Sequence, residues 1–312
     1  MDSSLRNTLD ESRRRLGTVI RGKSEVIDQL LVGVLAGGHV LIEDVPGVGK
    51  TTLAKTLSRV LTVTFSRVQF TPDLLPADVL GTEVLNPSDG SFNFHRGPIF
   101  TNVLLADEIN RASPRTQSAL LEAMNEQQVT IEGTSHPLPE PFFVIATQNP
   151  VDFQGTYPLP EAQLDRFLLR LEMGYPRPED ELAVLLDRKL KDPLDEIEPA
   201  ATGDEVLELQ RVVRNVEVTE AVARYVLEIA DATRQHRDLE LGVSTRGALA
   251  LYRAAQARAL IADRDYVTPD DVQTLAVPTL AHRILPTQQA RYGGASTANM
   301  IEGILADLPV PK

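Results

Sequence analysis

Residues 45–52 combine two glycines with a lysine and two threonines, residue types that could hold a triphosphate. Gly47 and Gly49 let the backbone turn tightly, so that its N–H groups can converge on an anion at the positive end of a helix. Lys50 would reach the β- and γ-phosphates, and the Thr51 hydroxyl would hold Mg²⁺. Nucleotide binding is therefore the first hypothesis. The expected contacts are Pro46, Gly47, Val48, Gly49, Lys50, Thr51 and Thr52.

The flanking residues predict the strand, turn and helix that such a site needs. The apolar run 39–43 predicts a strand, and residues 53–57 predict a helix. The full phosphate-binding pattern has a glycine five residues before Gly49, where this chain has Asp44. We expect the Asp44 carboxylate to point away from the phosphates. A tight turn with an incidental lysine is the alternative.

A pair of acids forms the second group with possible chemistry. Asp107 and Glu108 follow the apolar run 103–106, which predicts a buried parallel strand with carboxylates at its C-terminal end. Ligands bind at this edge of open α/β sheets, so we expect this strand and strand 39–43 to be neighbours. Asp107 could hold Mg²⁺ through water, and Glu108 could orient or deprotonate the attacking water. Capping of a helix predicted over 113–125 is the alternative role.

Composition narrows the class of protein. The 312 residues carry a net charge of −13, spread over both halves with no basic block, which argues against a general nucleic-acid or anionic-membrane surface. The absence of cysteine excludes disulfides and fits a reducing compartment. Five histidines show no ligand spacing, which makes a zinc site an unfavoured hypothesis. No run resembles a signal core or a membrane span, so we expect a cytoplasmic protein.

The order of predicted elements indicates two domains. Further strands are predicted over 62–70, 142–147 and 168–173, and two hairpins over 82–94 and 128–138. Glycine and prolines at 174–178 break this pattern, and only helices follow, over 179–191, 203–215, 219–235 and 244–261 and from 268. This predicts an α/β nucleotide domain with a parallel sheet, an N-terminal helix and two hairpin inserts over 1–175. A smaller all-α lid domain would occupy 176–312.

Four segments, 43–51, 106–112, 146–150 and 159–167, resemble the MoxR family of AAA+ ATPases. The resemblance covers nearly the whole chain, and Asp44 is common in that family. Both hairpins look like the inserts that set this branch apart. The resemblance implies a P-loop AAA+ fold and a homo-oligomeric ring, commonly a hexamer, with ATP and Mg²⁺ bound between subunits.

The resemblance also implies roles for three polar residues. Asn149 resembles the first sensor, which orients water against the γ-phosphate; an Asn–Pro turn is the alternative. Arg166 resembles the arginine finger that reaches the neighbouring subunit's γ-phosphate, a contact worth roughly 10³–10⁵ in rate in other nucleotide hydrolases. A salt bridge with Asp165 or Glu161 is its alternative. Arg246 resembles the second sensor, which would report the γ-phosphate to the lid, and a solvated helix arginine is its alternative.

Weaker expectations concern four other residues. Arg21 and Gly22 match the segment that lies against adenine in the family. Arg111 could act across a subunit interface or form a salt bridge. His136 and the hairpin tips could line a central pore, although an exposed turn is the favoured interpretation.

The resemblance favours a chaperone-like motor that hydrolyses ATP and remodels or activates a partner protein. Partners with a von Willebrand factor A domain are implied by the family alone. The alternatives are the ATPase subunit of a metal chelatase or a nucleic-acid motor, the second disfavoured by the acidic charge. A non-catalytic nucleotide switch is a third possibility, against which Glu108 and Arg166 both argue.

Overall fold

The computed structural model describes residues 2–149, 156–187 and 193–311, and the structural statements below concern these residues. The end of the helix predicted over 179–191 and Pro150 lie outside them. The helices are α1 (Ser3–Val19), α2 (Ser24–Leu35), α3 (Lys50–Val60), α4 (Pro76–Leu80), α5 (Pro114–Glu126), α6 (Glu161–Leu164), α7 (Pro178–Asp187), α8 (Gly203–Arg214), α9 (Glu220–Gln235), α10 (Thr245–Ile261), α11 (Pro269–Leu280), α12 (Gln288–Tyr292) and α13 (Thr297–Asp307). The strands are β1 (Val40–Glu43), β2 (Phe65–Gln69), β3 (Gly81–Leu85), β4 (Phe92–Arg96), β5 (Val103–Asp107), β6 (Gln128–Ile131), β7 (Thr134–Pro137), β8 (Phe143–Gln148), β9 (Leu169–Leu171), β10 (Leu239–Leu241) and β11 (Leu285–Pro286).

A parallel sheet of five strands in the order β2-β5-β8-β1-β9 forms the centre of the first domain. All four pairings are parallel, as the predicted alternation of strands and helices requires. The expectation that β1 and β5 are neighbours is wrong, because β8 pairs with both and lies between them. The C-terminal end of β8 therefore separates the glycine-rich turn from the acid pair.

The strand side chains alternate between two apolar layers. Val40 and Ile42 of β1 belong to a core shared with α1, α2 and α3. Leu41, between them, belongs to the core on the opposite face, shared with α4 and α5. This period of two explains why the strands are almost continuously apolar, since a sheet covered on both faces buries every strand position.

Both predicted hairpins are present and lie beside each other. Strands β3 and β4 pair antiparallel, as do β6 and β7. The rings of Phe94 on β4 and His136 on β7 are stacked, with centroids 4.1 Å apart and planes 22° apart. His136 is therefore half-buried between the hairpins rather than in an exposed turn.

The helices after residue 176 pack on the first domain on the side of α1 and α2. Helices α8 and α10 both contact α2. Gln210 on α8 donates a hydrogen bond of 2.7 Å to the Val34 carbonyl, and the N–H groups of Ala200 and Ala201 both donate to the Val60 carbonyl. The short antiparallel ribbon of β10 and β11 adds a small element that helical periodicity did not predict.

Candidate functional site

The glycine-rich turn has the backbone of an anion cradle. Gly47 and Gly49 have φ angles of +87° and +96°, in the left-handed region that strains residues with a Cβ. A Cβ at either position would meet nothing within 4 Å, so conformation rather than crowding requires glycine there. Helix α3 begins at Lys50, directly after Gly49, and the residues of its first turn line the cavity described below. The turn therefore places the positive end of α3 where a phosphate could bind.

Lys50 lies between the turn and the acid pair. Its Nζ donates a hydrogen bond of 2.7 Å to the Asp44 carbonyl. Burial lowers the pKa of Lys50, while the nearby carboxylates of Asp44, Asp107 and Glu108 oppose this effect. A partly buried ammonium with several neighbouring anions is suited to exchange its backbone partner for phosphate oxygens.

The Asp44 carboxylate points away from the cradle, which confirms the expectation from the sequence. Its Oδ1 accepts from the Val45 N–H at 2.8 Å, and its Oδ2 accepts from the Gly174 N–H at 2.6 Å. The side chain is buried. Asp44 therefore ties the turn to the segment that follows β9, a structural role that the missing glycine of the pattern did not suggest.

Asp107 is the last residue of β5 and Glu108 follows it; both contact Thr147 on the neighbouring strand β8. The Thr147 hydroxyl donates to Asp107 Oδ1 at 2.6 Å and accepts from the Glu108 N–H at 2.9 Å. Asp107 Oδ2 also accepts from Arg67 Nη2 at 2.7 Å. Glu108 has a φ of +56°, an uncommon backbone conformation for a side chain of this size. Thr147 thus stabilises a strained residue and aligns both acids.

Neither acid caps α5. Ser113 does so, because its side chain accepts from the Thr116 N–H. The Glu108 carboxylate instead forms an ion pair of 3.0 Å with Arg111, the salt bridge expected as one role for that arginine.

A cavity of about 770 Å³ brings most of the predicted residues together. Its lining includes the whole turn 46–52, both acids, Asn149 and Arg21. Gly22 does not line it, because the backbone at that position faces the Asp180 side chain on α7. Thr18, Val19 and Ile20 form another part of the wall, on the side where the resemblance places adenine.

Arg166 and Arg246 lie outside this cavity. Arg166 lines a separate depression of about 530 Å³ beside Glu122 and Glu126, and its Nη1 donates to the Leu121 carbonyl at 2.8 Å. Arg246 lies 3.4 Å from the Asn125 side chain. The salt bridge of Arg166 with Asp165 is not formed in the described structure, because the Asp165 carboxylate pairs with Arg283.

The donor set of the cavity fits a magnesium–triphosphate. Gly47 to Thr52 offer N–H groups at the helix end, and Lys50 offers a cation, which together suit an anion. Thr51 and Asp107 offer the hard oxygens that Mg²⁺ prefers. When bound, the metal would neutralise charge on the phosphates.

Three residues near the acid pair were not predicted from the sequence. Arg67 and Gln69 project from the same side of β2 into the cavity, and Thr147 joins the acid pair. The available signal for Arg67 was that Arg67 and Gln69 are polar residues at alternate positions near the C-terminal end of a predicted strand. Thr147 stands in a segment that the resemblance included, but its contact depends on which strand neighbours β5.

Comparisons with known proteins agree with this geometry. Residues 39–169 match the ATPase family associated with various cellular activities (AAA), and residues 231–303 match the AAA lid domain. The chain is 48% identical to the uncharacterized protein YeaC of Bacillus subtilis, over 97% of this chain and 95% of that protein. It is 41% identical to Chaperone MoxR1 of Mycobacterium tuberculosis, over 98% of this chain and 83% of that one. A crystal structure of a candidate ATPase from Cytophaga hutchinsonii superposes with a TM-score of 0.91 at 40% identity, covering 99% of this chain and 96% of the other.

The fold, the phosphate cradle and the family matches define an AAA+ ATPase. Within that class, the chain belongs to the MoxR family. The predicted parallel-sheet domain followed by a helical lid is confirmed. Among the described helices, none has the length and apolar character needed to cross a membrane.

Proposed function

We propose that this protein hydrolyses MgATP in a homo-oligomeric ring and uses the energy to remodel or activate a partner protein. The observation that carries the proposal is one cavity that holds a cradle, a lysine and two carboxylates joined by Thr147. A pure nucleotide switch would need no second carboxylate beside the magnesium ligand. We further propose that the protein acts in the cytoplasm.

The residues of the cavity have separable roles in this proposal. Lys50 and the turn bind the phosphates, while Thr51 and Asp107 hold Mg²⁺. Glu108 accepts a proton from the attacking water, for which it must leave Arg111, its partner at 3.0 Å. Asn149, directly after β8, orients that water. Arg21 lies beside the adenine ring of the nucleotide.

A ring explains why two predicted catalytic arginines lie outside the cavity of their own chain. Neither Arg166 nor Arg246 lines the cavity of its own chain, so they would complete the nucleotide site of a neighbouring subunit. An arginine contributed by a neighbour makes hydrolysis depend on assembly. A hexamer is the ring size that the family resemblance favours.

Partner remodelling is supported by the hairpin surface and by a relative. Strands β3 and β4 expose Val84, Leu85 and Phe92, the last with 65% of its surface accessible. Exposed apolar groups of this kind suit contact with another protein. One relative bears the name Chaperone MoxR1. A partner with a von Willebrand factor A domain is the class that we would test first.

Substitution of Glu108 and Arg166 tests the proposal. Glu108→Gln removes the base and keeps the cradle, so the variant should bind MgATP and lose turnover. Arg166→Ala should also lose turnover, by roughly 10³-fold or more. Mixed rings should recover part of the activity, because an Arg166→Ala subunit then receives its arginine from a Glu108→Gln neighbour. Wild-type turnover in either variant, or no recovery at any mixing ratio, would refute the assigned roles.

A further inference from the structure

Arg283, three residues after the end of α11 in the lid, is almost fully buried, with 5% of its surface accessible. Its guanidinium donates hydrogen bonds to the residue before Arg166 and to the two residues after it. Nε donates to the Asp165 carboxylate at 2.8 Å, Nη2 donates to the Phe167 carbonyl at 2.7 Å, and Nη1 donates to the Leu168 carbonyl at 3.1 Å. One side chain of the lid therefore fixes the backbone before and after Arg166.

Arg246 lies in the first turn of α10, and this helix start packs against the side-chain stem of Arg283. A Cβ at Gly247 would lie 3.0 Å from Arg283 Cδ, so the helix start packs closely on the Arg283 stem. Burial lowers the pKa of Arg283; the Asp165 carboxylate opposes this, and the nearby charge of Arg246 adds to the lowering. The two candidate trans-acting arginines thus flank a common buried residue.

The contrast between Arg283 and Arg166 is informative. Every guanidinium nitrogen of Arg283 has an oxygen acceptor. Arg166 donates through Nη1 to Leu121, and its buried Nε has no hydrogen-bond partner. The backbone of Arg166 is therefore held firmly, while its tip has few contacts to break before it reaches another target.

Stability alone does not account for an arginine at this buried position. Burial of an ion pair contributes little net stability compared with well-packed apolar residues, because desolvation offsets the attraction. What arginine supplies is a planar fork that can fix several acceptors at set angles. That property suits the orientation of a loop more than the filling of a core.

We propose that Arg283 is a positioning residue that sets Arg166 and Arg246 in a fixed relation, so that both reach the nucleotide of the neighbouring subunit together. The inference rests on the proposed function, since it assumes that these arginines act in trans. Arg283 itself touches no nucleotide. Its loss should impair turnover at the neighbour's site and leave the cavity of its own chain intact.

The test uses Arg283→Gln and Arg283→Lys in the full-length protein, with Arg264→Gln as the matched control. Arg264 also pairs with a buried carboxylate of the lid, Asp271, but in the described structure it makes no hydrogen bond or ion pair with residues 165–168. We would measure kcat and KM for ATP, the Kd for MgADP by calorimetry, and turnover in rings mixed with Glu108→Gln subunits. Circular dichroism and thermal melting would show which variants fold.

Arg283→Gln should lower kcat about 10²-fold, the effect of a misplacement of about 1 Å, while KM and the MgADP Kd change less than about threefold. Mixing with Glu108→Gln subunits should restore part of the turnover. Arg283→Lys keeps the charge but not the planar fork, so its kcat should fall about tenfold, again with little change in KM or in the MgADP Kd. Arg264→Gln should melt earlier and keep its kcat.

Several outcomes would overturn the inference. They are a folded Arg283→Gln protein with wild-type kcat, a loss expressed mainly in KM or in the MgADP Kd, or an equal loss of kcat in the Arg264→Gln control. If Arg283→Gln does not fold, a wild-type kcat in Arg283→Lys would overturn the inference instead. Recovery of Arg166→Ala rings without recovery of Arg283→Gln rings would refute the positioning role alone. Failure of both to recover would refute the trans arrangement on which it rests.

Discussion

The Thr147 hydroxyl offers a direct test of how the acid pair is aligned. Thr147→Val removes this hydroxyl and preserves the shape of a side chain that is 1% exposed. Asp107 Oδ1 then loses a donor at 2.6 Å, and the Glu108 N–H loses its acceptor at 2.9 Å. The substitution acts on the geometry of the acids and leaves the phosphate cradle unchanged.

The size of the effect follows from these two contacts. A buried N–H group without an acceptor costs about 1–3 kcal/mol, and a hydrogen bond to a carboxylate contributes about 1.5–3 kcal/mol. Since Arg67 still contacts Asp107, we expect a total loss of about 2–4 kcal/mol in the free energy of unfolding. Glu108 also loses the contact that stabilises its positive φ, so kcat should fall about 10²-fold through misplacement.

Turnover and MgADP binding would be measured beside Thr147→Ser, which keeps the hydroxyl and loses only a methyl group. Thr147→Ser should lose about 1 kcal/mol of stability and little activity. The Kd for MgADP should change less than about threefold in both variants, because the cradle and Lys50 are intact. Equal kcat values for the valine and serine variants would refute the alignment role of Thr147.

Three further predictions concern binding and stability. Lys50→Ala should weaken MgADP binding by about 10–100-fold, the worth of one charged hydrogen bond, and unchanged affinity in calorimetry would argue against the cradle. Asp44→Gly restores the glycine of the full phosphate-binding pattern. It should nevertheless lower the free energy of unfolding by about 1–3 kcal/mol, because the Gly174 N–H loses its acceptor. Denaturant titration would measure this loss, and equal stability of the two proteins would contradict the prediction. Burial lowers the pKa of His39 to about 4, so unfolding below the ordinary His value takes up a proton and stability should fall with decreasing pH. Between about pH 7.5 and about pH 5 this loss should be on the order of 2 kcal/mol and absent in His39→Gln, and an equal pH dependence of both proteins would exclude His39 as its source.

The sequence predicted the parts of the site that depend on local backbone chemistry. Gly47, Gly49 and Lys50 define their turn within a few residues, and the apolar run before Asp107 identifies its strand. Contacts that depend on strand order were not predictable in the same way. Thr147 joins the acid pair only because β8 lies between β1 and β5, and no periodicity in one chain specifies that order.

Long-range contacts of the lid could not be predicted from sequence patterns either. Arg283 lies 118 residues after Asp165, and an arginine near the end of a helix ordinarily suggests a solvated cap. Its burial becomes evident only when α11 packs against β9. The helical period correctly gave the lid its helices but carried no information about which face of the sheet they cover.

The apolar core that passes from the sheet into the lid has a consequence for cooperativity. Leu30 and Leu31 of α2 share one cluster with Leu209 of α8 and Leu251 of α10. Proteolysis or truncation after residue 175 would expose this apolar interface to water, so a fragment ending there should aggregate. Heating should accordingly melt the intact chain in a single step, with no intermediate in which the lid alone has come apart.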